Sequence, residues 1–199
     1  FTQKELIYMS NHIDFYFDII SPYAYIAHKK ILKYKNILFN YKPIYLGGLH
    51  KLAGINSPAF NKYKLRNNIN DCNLVSEKNN IEFKWNSNFP INSLNMMRGY
   101  LCVNKDKQYE YLNAFFDAYW KDNQDLSEPT NINKLLNNLK IDNEKFHNTI
   151  KEQNIKNKLI KLTTDAFEKE VFGTPTFIIN NKIFWGQDRL EYAVEELKN

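Results

Sequence analysis

The sequence predicts an α/β fold in which one sheet with covering helices is interrupted by a large all-helical block. Three observations predict it. The chain opens on a strand–helix–strand pattern and closes on a strand–strand–helix pattern. Between them, from about Leu49 to Phe167, the apolar residues recur at mostly helical spacing. A length of 199 residues suits one domain, or one fold carrying a sizeable insertion.

The elements follow in order. Ile13 to Ile20 (IDFYFDII) is β-branched and aromatic on both faces, as in a buried central strand. Ser21-Pro22 comes next; serine favours the N-cap and proline the first helical position. That helix continues through Ile26, Ala27, Ile31 and Leu32 and is expected to end near Asn36. Ile37 to Leu46 reads as a second strand, broken by Gly47-Gly48. A strand–helix–strand unit this short suggests a parallel pair. In the middle block, Leu65, Ile69, Cys72 and Val75 share one face. Leu112, Phe115, Phe116 and Tyr119 share a second, and Leu159, Leu162, Ala166 and Phe167 a third. Asp142 is placed to cap a helix running through Phe146 and Ile150. Ile81 to Pro90 breaks the helical pattern and reads as a loop. Thr176–Ile179 and Lys182–Trp185 are short apolar runs around Asn180-Asn181, a hairpin turn. A last helix is expected from Asp188, with Leu190, Ala193, Val194 and Leu197 on its buried face. Glu191, three residues on, would give Asp188 an acidic variant of the capping box. The expected units are residues 9–48 with 168–199 for the sheet, and 49–167 for the helical insertion. Residues 1–8 precede Met9 and are left out of the fold reading.

Composition narrows the function classes. Hydrophobic residues make up 43% and aromatics 15%, enough for a core without disulfide staples. The net charge of +5 comes from lysines interspersed with acids, with arginine only at Arg66, Arg98 and Arg189. No dense basic block marks a nucleic-acid surface, so no nucleic-acid partner is expected. Cys72 and Cys102 fit neither a CxxC pair nor a zinc site. Two isolated thiols fit a reducing cytosol, where each acts as a small buried hydrophobe. No run of eighteen apolar residues predicts a membrane span, and no basic flank with an apolar run marks a secretory leader. The four histidines are scattered, so no metal is expected, and neither a P-loop nor a GxGxxG is present.

Two short segments carry chemistry. At Phe17-Asp18-Ile19-Ile20-Ser21-Pro22-Tyr23-Ala24, the first strand meets the first helix. Open amide donors and the positive end of the helix dipole favour an anion such as a thiolate there. Read alone, Ser21 is a plain N-cap. The second segment is Gly173-Thr174-Pro175-Thr176-Phe177, where a Thr-Pro bond precedes a strand and, read alone, is expected to be trans.

Together the two segments resemble the thioredoxin superfamily, in which a redox motif opens the first helix and a cis-proline loop faces it. Here Ser21-Pro22-Tyr23-Ala24 stands in the motif's place. With no thiol at either redox position, disulfide exchange has no nucleophile. More closely, the chain resembles the 2-hydroxychromene-2-carboxylate isomerases and their relatives, the kappa-class glutathione transferases. The segments that carry this are DFYFDIISPYAYIA (Asp14 to Ala27), KPIYLGGLHKLAGINSP (Lys42 to Pro58), FPINSLNMMRG (Phe89 to Gly99) and VFGTPTFIINNKIFWGQDRLEYAVEEL (Val171 to Leu197). The stretch Phe184 to Arg189 looks more like the isomerase branch.

The resemblance implies a thioredoxin fold with a large all-α insertion between the βαβ and ββα halves. It also implies a cytoplasmic homodimer, glutathione as cofactor and a small aromatic anion as substrate. Ser21 would donate a hydrogen bond to the glutathione sulfur. Thr174, before Pro175, would pair its backbone with the glutathione cysteine. Gln187 and Asp188 would hold the γ-glutamyl end, and Asn56 and Lys62 the glycine end. Ile55 departs from the family's usual Gly-Asn order, and Lys64 and Arg66 rival Lys62. Tyr23, Trp85 and Phe89 could wall the substrate by stacking, or serve as ordinary core aromatics. The implied reaction is reversible addition of a thiolate to an unsaturated keto acid. A kappa-like transferase is the nearest alternative. A non-catalytic binding or chaperone module is the alternative of another class, and a thiol–disulfide oxidoreductase the weakest.

Overall fold

The computed structural model describes residues 12–198. The expected start of the sheet unit at residue 9 and the reading on a leader lie outside the described residues. The first strand, β1 (His12–Phe17), is buried in the middle of a four-stranded sheet of order β2-β1-β3-β4. Strand β2 (Leu38–Pro43) pairs parallel to it, as a crossover through a helix allows. Strands β3 (Thr176–Ile179) and β4 (Lys182–Trp185) complete the sheet as an antiparallel hairpin with the predicted boundaries. Asn180 and Asn181 join them with φ of 49° and 59°, the left-handed pair that a two-residue hairpin turn needs.

Between β1 and β2 runs α1 (Pro22–Ile31). The helical block holds α2 (Leu46–Ala53), α3 (Lys62–Lys78), α4 (Leu94–Cys102), α5 (Lys105–Trp120), α6 (Pro129–Asn138), α7 (Asn143–Thr149) and α8 (Gln153–Glu168). The last helix is α9 (Leu190–Glu196). This is a thioredoxin fold with a helical insertion, as the resemblance implied. The core does not stop at the insertion. Phe15 and Phe17 of β1, Tyr25 of α1, Phe116 and Trp120 of α5 and Phe177 of β3 belong to one buried cluster. Residues 81–93 carry no regular structure, as the loop reading expected. Asp142 caps α7 by accepting from the Lys145 amide at 2.8 Å.

Four expectations are corrected. β1 ends at Phe17, not Ile20, because the Asp18 carboxylate accepts the Ile20 amide at 3.1 Å and turns the chain. Strand β2 ends at Pro43, short of Leu46, and Gly47-Gly48 lies in the first turn of α2 rather than at the strand's end. A β-carbon on Gly47 would lie 2.9 Å from the end of the Tyr45 ring, which packs across this turn. Phe167 is exposed, and the buried face of α8 is Leu159, Thr163 and Ala166. Asp188 caps no helix. Gln187–Arg189 forms a 3-10 turn, α9 begins at Leu190, and neither element has a side-chain cap. Among the described residues no helix is long and apolar enough to cross a membrane.

Candidate active site

The register of the sheet sets the site. Tyr16 of β1 pairs with Thr176 of β3, so two residues further on Thr174 falls opposite Asp18, at the turn into α1. Ser21 is the N-cap of that helix. Its Oγ accepts the Ala24 amide at 3.1 Å and donates to the Thr174 carbonyl at 2.9 Å. The Thr174–Pro175 peptide is cis. Ser21 and Thr174 are both buried, and Thr174 Oγ1 has no hydrogen-bond partner. The sequence-predicted pair of segments is thus joined by a direct hydrogen bond.

The turn itself is pinned from several sides. Asp18 is fully buried. Its second carboxylate oxygen accepts the Leu46 amide at 2.7 Å, at the start of α2, and the Ser93 hydroxyl at 2.9 Å, at the start of α4. Burial pushes the Asp18 carboxyl up to about 6, against the pull of its hydrogen bonds from Leu46, Ile20, Ser93 and Ile19. Met97 of α4 accepts the Ile19 amide at 3.4 Å, and Trp120 Nε1 of α5 donates to the Ile19 carbonyl at 2.8 Å. At its far end, α1 is tied to the chain's closing segment. Lys30 Nζ donates to the Gln187 carbonyl at 3.1 Å and pairs with Glu191 at 2.8 Å. The Gly186 amide donates to the Pro175 carbonyl at 3.0 Å, linking that segment back to the cis peptide.

The other predicted residues fall into three groups. Gln187 is buried, with its side-chain carbonyl 3.4 Å from Lys30 Nζ, while Asp188 is exposed beside Arg189 at 3.1 Å. Trp85 and Phe89 are half-buried and pack edge-to-face at 5.0 Å. Both lie against the Trp120 ring, at 5.5 and 5.6 Å, one hydrogen bond from the turn. Tyr23 ties α1 to α3 through a 2.8 Å hydrogen bond to Asp71. Asn56 and Lys62 are exposed, between α2 and α3 and at the first residue of α3. Among the described residues neither shares a hydrogen bond with Ser21, Thr174 or Gln187.

The sequence reading missed Asp18, Lys30 and the Phe172–Trp185 pair. Asp18 had a signal: a carboxylate inside an apolar run, three residues before the helix cap. Lys30 had none, since only the fold brings it to Gln187. Phe172 and Trp185 flank the Gly173–Pro175 loop, are 40% and 55% exposed, and pack at 4.9 Å. Gly173 allows that contact, since a β-carbon there would lie 2.8 Å from Trp185 Nε1.

The cysteines are elsewhere. Cys72 is buried and its thiol is pushed up to about 12; Cys102 is pushed to about 11, also chiefly by burial. Neither is a thiolate near neutral pH. Among the described residues no group of His, Cys, Asp and Glu could hold a metal ion.

Residues 12–198 match the DSBA-like thioredoxin domain. The chain belongs to that family. Within it, the chain is similar to a 2-hydroxychromene-2-carboxylate isomerase of Sphingobium xenophagum, 23% identical over 92% of this chain and 96% of the relative. A solved structure of a 2-hydroxychromene-2-carboxylate isomerase superposes with a TM-score of 0.83 at 23% identity, over 94% of each chain, and supports the fold. A shorter segment of 51 residues is 45% identical to glutathione S-transferase kappa 1 of Caenorhabditis elegans, covering 24% of this chain and 23% of that one.

Proposed function

We propose that this protein is a glutathione-dependent isomerase of the 2-hydroxychromene-2-carboxylate type. One observation carries the reading: the Ser21 hydroxyl, at the N-terminus of α1, bonds the Thr174 carbonyl beside a cis proline, with no protein thiol at either redox position. The residues fit a thiol-bearing peptide. They offer a hydroxyl donor, the open end of a helix and a buried Thr174 hydroxyl that lacks a partner. When bound, glutathione would supply a thiolate able to add reversibly to an unsaturated aromatic keto acid.

The chain's own residues have defined tasks. A thiol of ordinary pKa is only about 3% ionised at pH 7; lowering that pKa by about two units gives roughly three-quarters thiolate. The α1 N-terminus and the Ser21 hydroxyl supply that stabilisation. Ser21 has one proton, and in this structure it points at the Thr174 carbonyl. To serve a sulfur it rotates away, while its lone pairs keep the Ala24 amide. Thr174 and Pro175 offer an extended backbone edge for the cysteine of the peptide. Gln187 and Asp188 take the γ-glutamyl end, with Lys30 holding Gln187 in place. Asn56 and Lys62 take the glycine end. Tyr23, Trp85 and Phe89 form the substrate wall.

The test is calorimetric titration of glutathione into wild type and Ser21→Ala, with the bound thiol titrated by ultraviolet absorbance. The expected result is a raised thiol pKa and a large loss of turnover in Ser21→Ala, with a smaller loss of binding. An unchanged pKa and turnover removes the role given to Ser21. The kappa-type segment supports a second reading, a glutathione transferase. Product analysis separates them: a stable conjugate means transfer, and rearranged substrate with free glutathione returned means isomerisation. A binding module without chemistry would show neither product, and a chaperone module would show no rise in melting temperature with glutathione.

A further inference from the structure

We infer that the Thr174 side-chain hydroxyl is a second donor to the bound thiolate, acting beside Ser21; this rests on the glutathione reading above. Thr174 is 8% exposed, and its Oγ1 is sheltered from solvent with no hydrogen-bond partner. Buried hydroxyls are nearly always satisfied, and one left alone costs about 1–3 kcal/mol. Valine has the same shape and no such cost.

The polar groups of the neighbouring backbone and of Ser21 are bonded to other partners. Ser21 Oγ has given its proton to the Thr174 carbonyl and accepts from Ala24. The Gly173 carbonyl accepts the Thr176 hydroxyl at 2.7 Å. The Pro175 carbonyl accepts the Gly186 amide at 3.0 Å. Each of these acceptors already has one donor and none of them takes the Thr174 proton, which is left for an entering acceptor. A thiolate is such an acceptor, and a hydrogen bond to a charged group is the stronger kind.

Position supports the same ligand. Oγ1 belongs to the residue whose carbonyl lies 2.9 Å from Ser21 Oγ. Covalent geometry holds the two oxygens of one threonine within about 5 Å of each other. The two hydroxyls therefore belong to the two segments that this hydrogen bond joins, where the proposed sulfur would be held by both. Thr176, two residues on, is the built-in control. It is also buried and β-branched, but its hydroxyl is satisfied.

The experiment uses Thr174→Val, Thr174→Ser and Thr176→Val, with glutathione binding by calorimetry and the bound thiol titrated by ultraviolet absorbance. In Thr174→Val we expect about tenfold less bound thiolate at a fixed pH below the thiol's pKa. Its melting temperature should match or exceed wild type, because the unpaired hydroxyl is gone. Thr174→Ser should restore the thiolate, and Thr176→Val should lower stability without moving the thiol's titration. A wild-type titration curve in a Thr174→Val protein that still binds glutathione overturns the inference and leaves the glutathione reading standing. Failure of wild type itself to bind glutathione or lower its thiol pKa removes both.

Discussion

Ser21 and Cys72 are both small, both buried and both close to Tyr23, yet their surroundings drive an ionisable group in opposite directions. Ser21 opens a helix, where unpaired amides and the dipole favour negative charge. Cys72 sits inside α3, where burial and the neighbouring Asp71 raise its thiol, and a hydrogen bond with Tyr23 only partly offsets them. The comparison teaches that having a thiol matters less than where the fold would tolerate its anion. This chain keeps its thiols at sites hostile to charge and places a neutral hydroxyl donor at the site that welcomes it. That arrangement suits activation of a thiol brought from outside.

The largest expected effect tests the hospitable end. Ser21→Ala should lower turnover by about a hundredfold, the usual consequence of removing one donor to a developing anion. Steady-state kinetics on a hydroxychromene carboxylate measures it, and a loss below about threefold would break the comparison. Ser21→Cys places a thiol at that position. Alkylation of the introduced thiol by iodoacetamide should follow a pKa at least about one unit below the ordinary value of about 8.5, while Cys72 stays unreactive until the chain unfolds. An introduced thiol that titrates at or above that ordinary value would mean that the helix end gives no stabilisation.

Asp18 sharpens the comparison from the other side, since it is an anion held beneath the same turn. Its carboxyl is raised from an ordinary 3.8 to about 6 in the folded chain, so the folded state binds the proton more tightly. Between those values, stability falls as pH rises, and above them the folded chain carries the full cost, about 3 kcal/mol at most. His28, lowered from 6.5 to about 4 by burial, acts in the opposite sense: its contribution is lost as pH falls below 6.5. Thermal melts of wild type and Asp18→Asn from about pH 4 to 7.5 cancel the shared histidine effect. Relative to Asp18→Asn, wild type should lose stability as pH rises through this window. Parallel curves would show that Asp18 is not strained. The smallest effect is Cys72→Ala, expected to cost about 1 kcal/mol of packing in chemical denaturation and to leave glutathione binding unchanged.

Much of the fold was legible because it depends on local chemistry. The β3–β4 hairpin is two apolar runs around an asparagine pair able to adopt positive φ. The α7 start is an aspartate three residues before the amide it accepts. Ser21-Pro22 gave the α1 cap directly. The misreadings came where a distant group overrode the local signal. Gly47-Gly48 looks like a break until Tyr45 folds across it and Asp18 accepts the first amide of the helix it begins. Asp188 looks like a cap, but the turn at Gly186, with φ of 112°, draws those residues into a 3-10 turn instead. In the site, Ser21 and Thr174 were readable as motifs. Lys30 was not, because Gln187 lies 157 residues away along the chain.

That separation has a consequence for how the molecule can be cut. Helix α1 is fastened at its front by Ser21 to Thr174 and at its back by Lys30 to Gln187 and Glu191. Both fastenings come from the segment that begins at Thr174, which also covers the free edge of β1. A chain shortened before Thr174 retains Ser21 and every helix of the insertion, but its serine has nothing to face and its central strand becomes an open edge. The segment from Thr174 onwards therefore gives a capped helix the backbone that its serine faces.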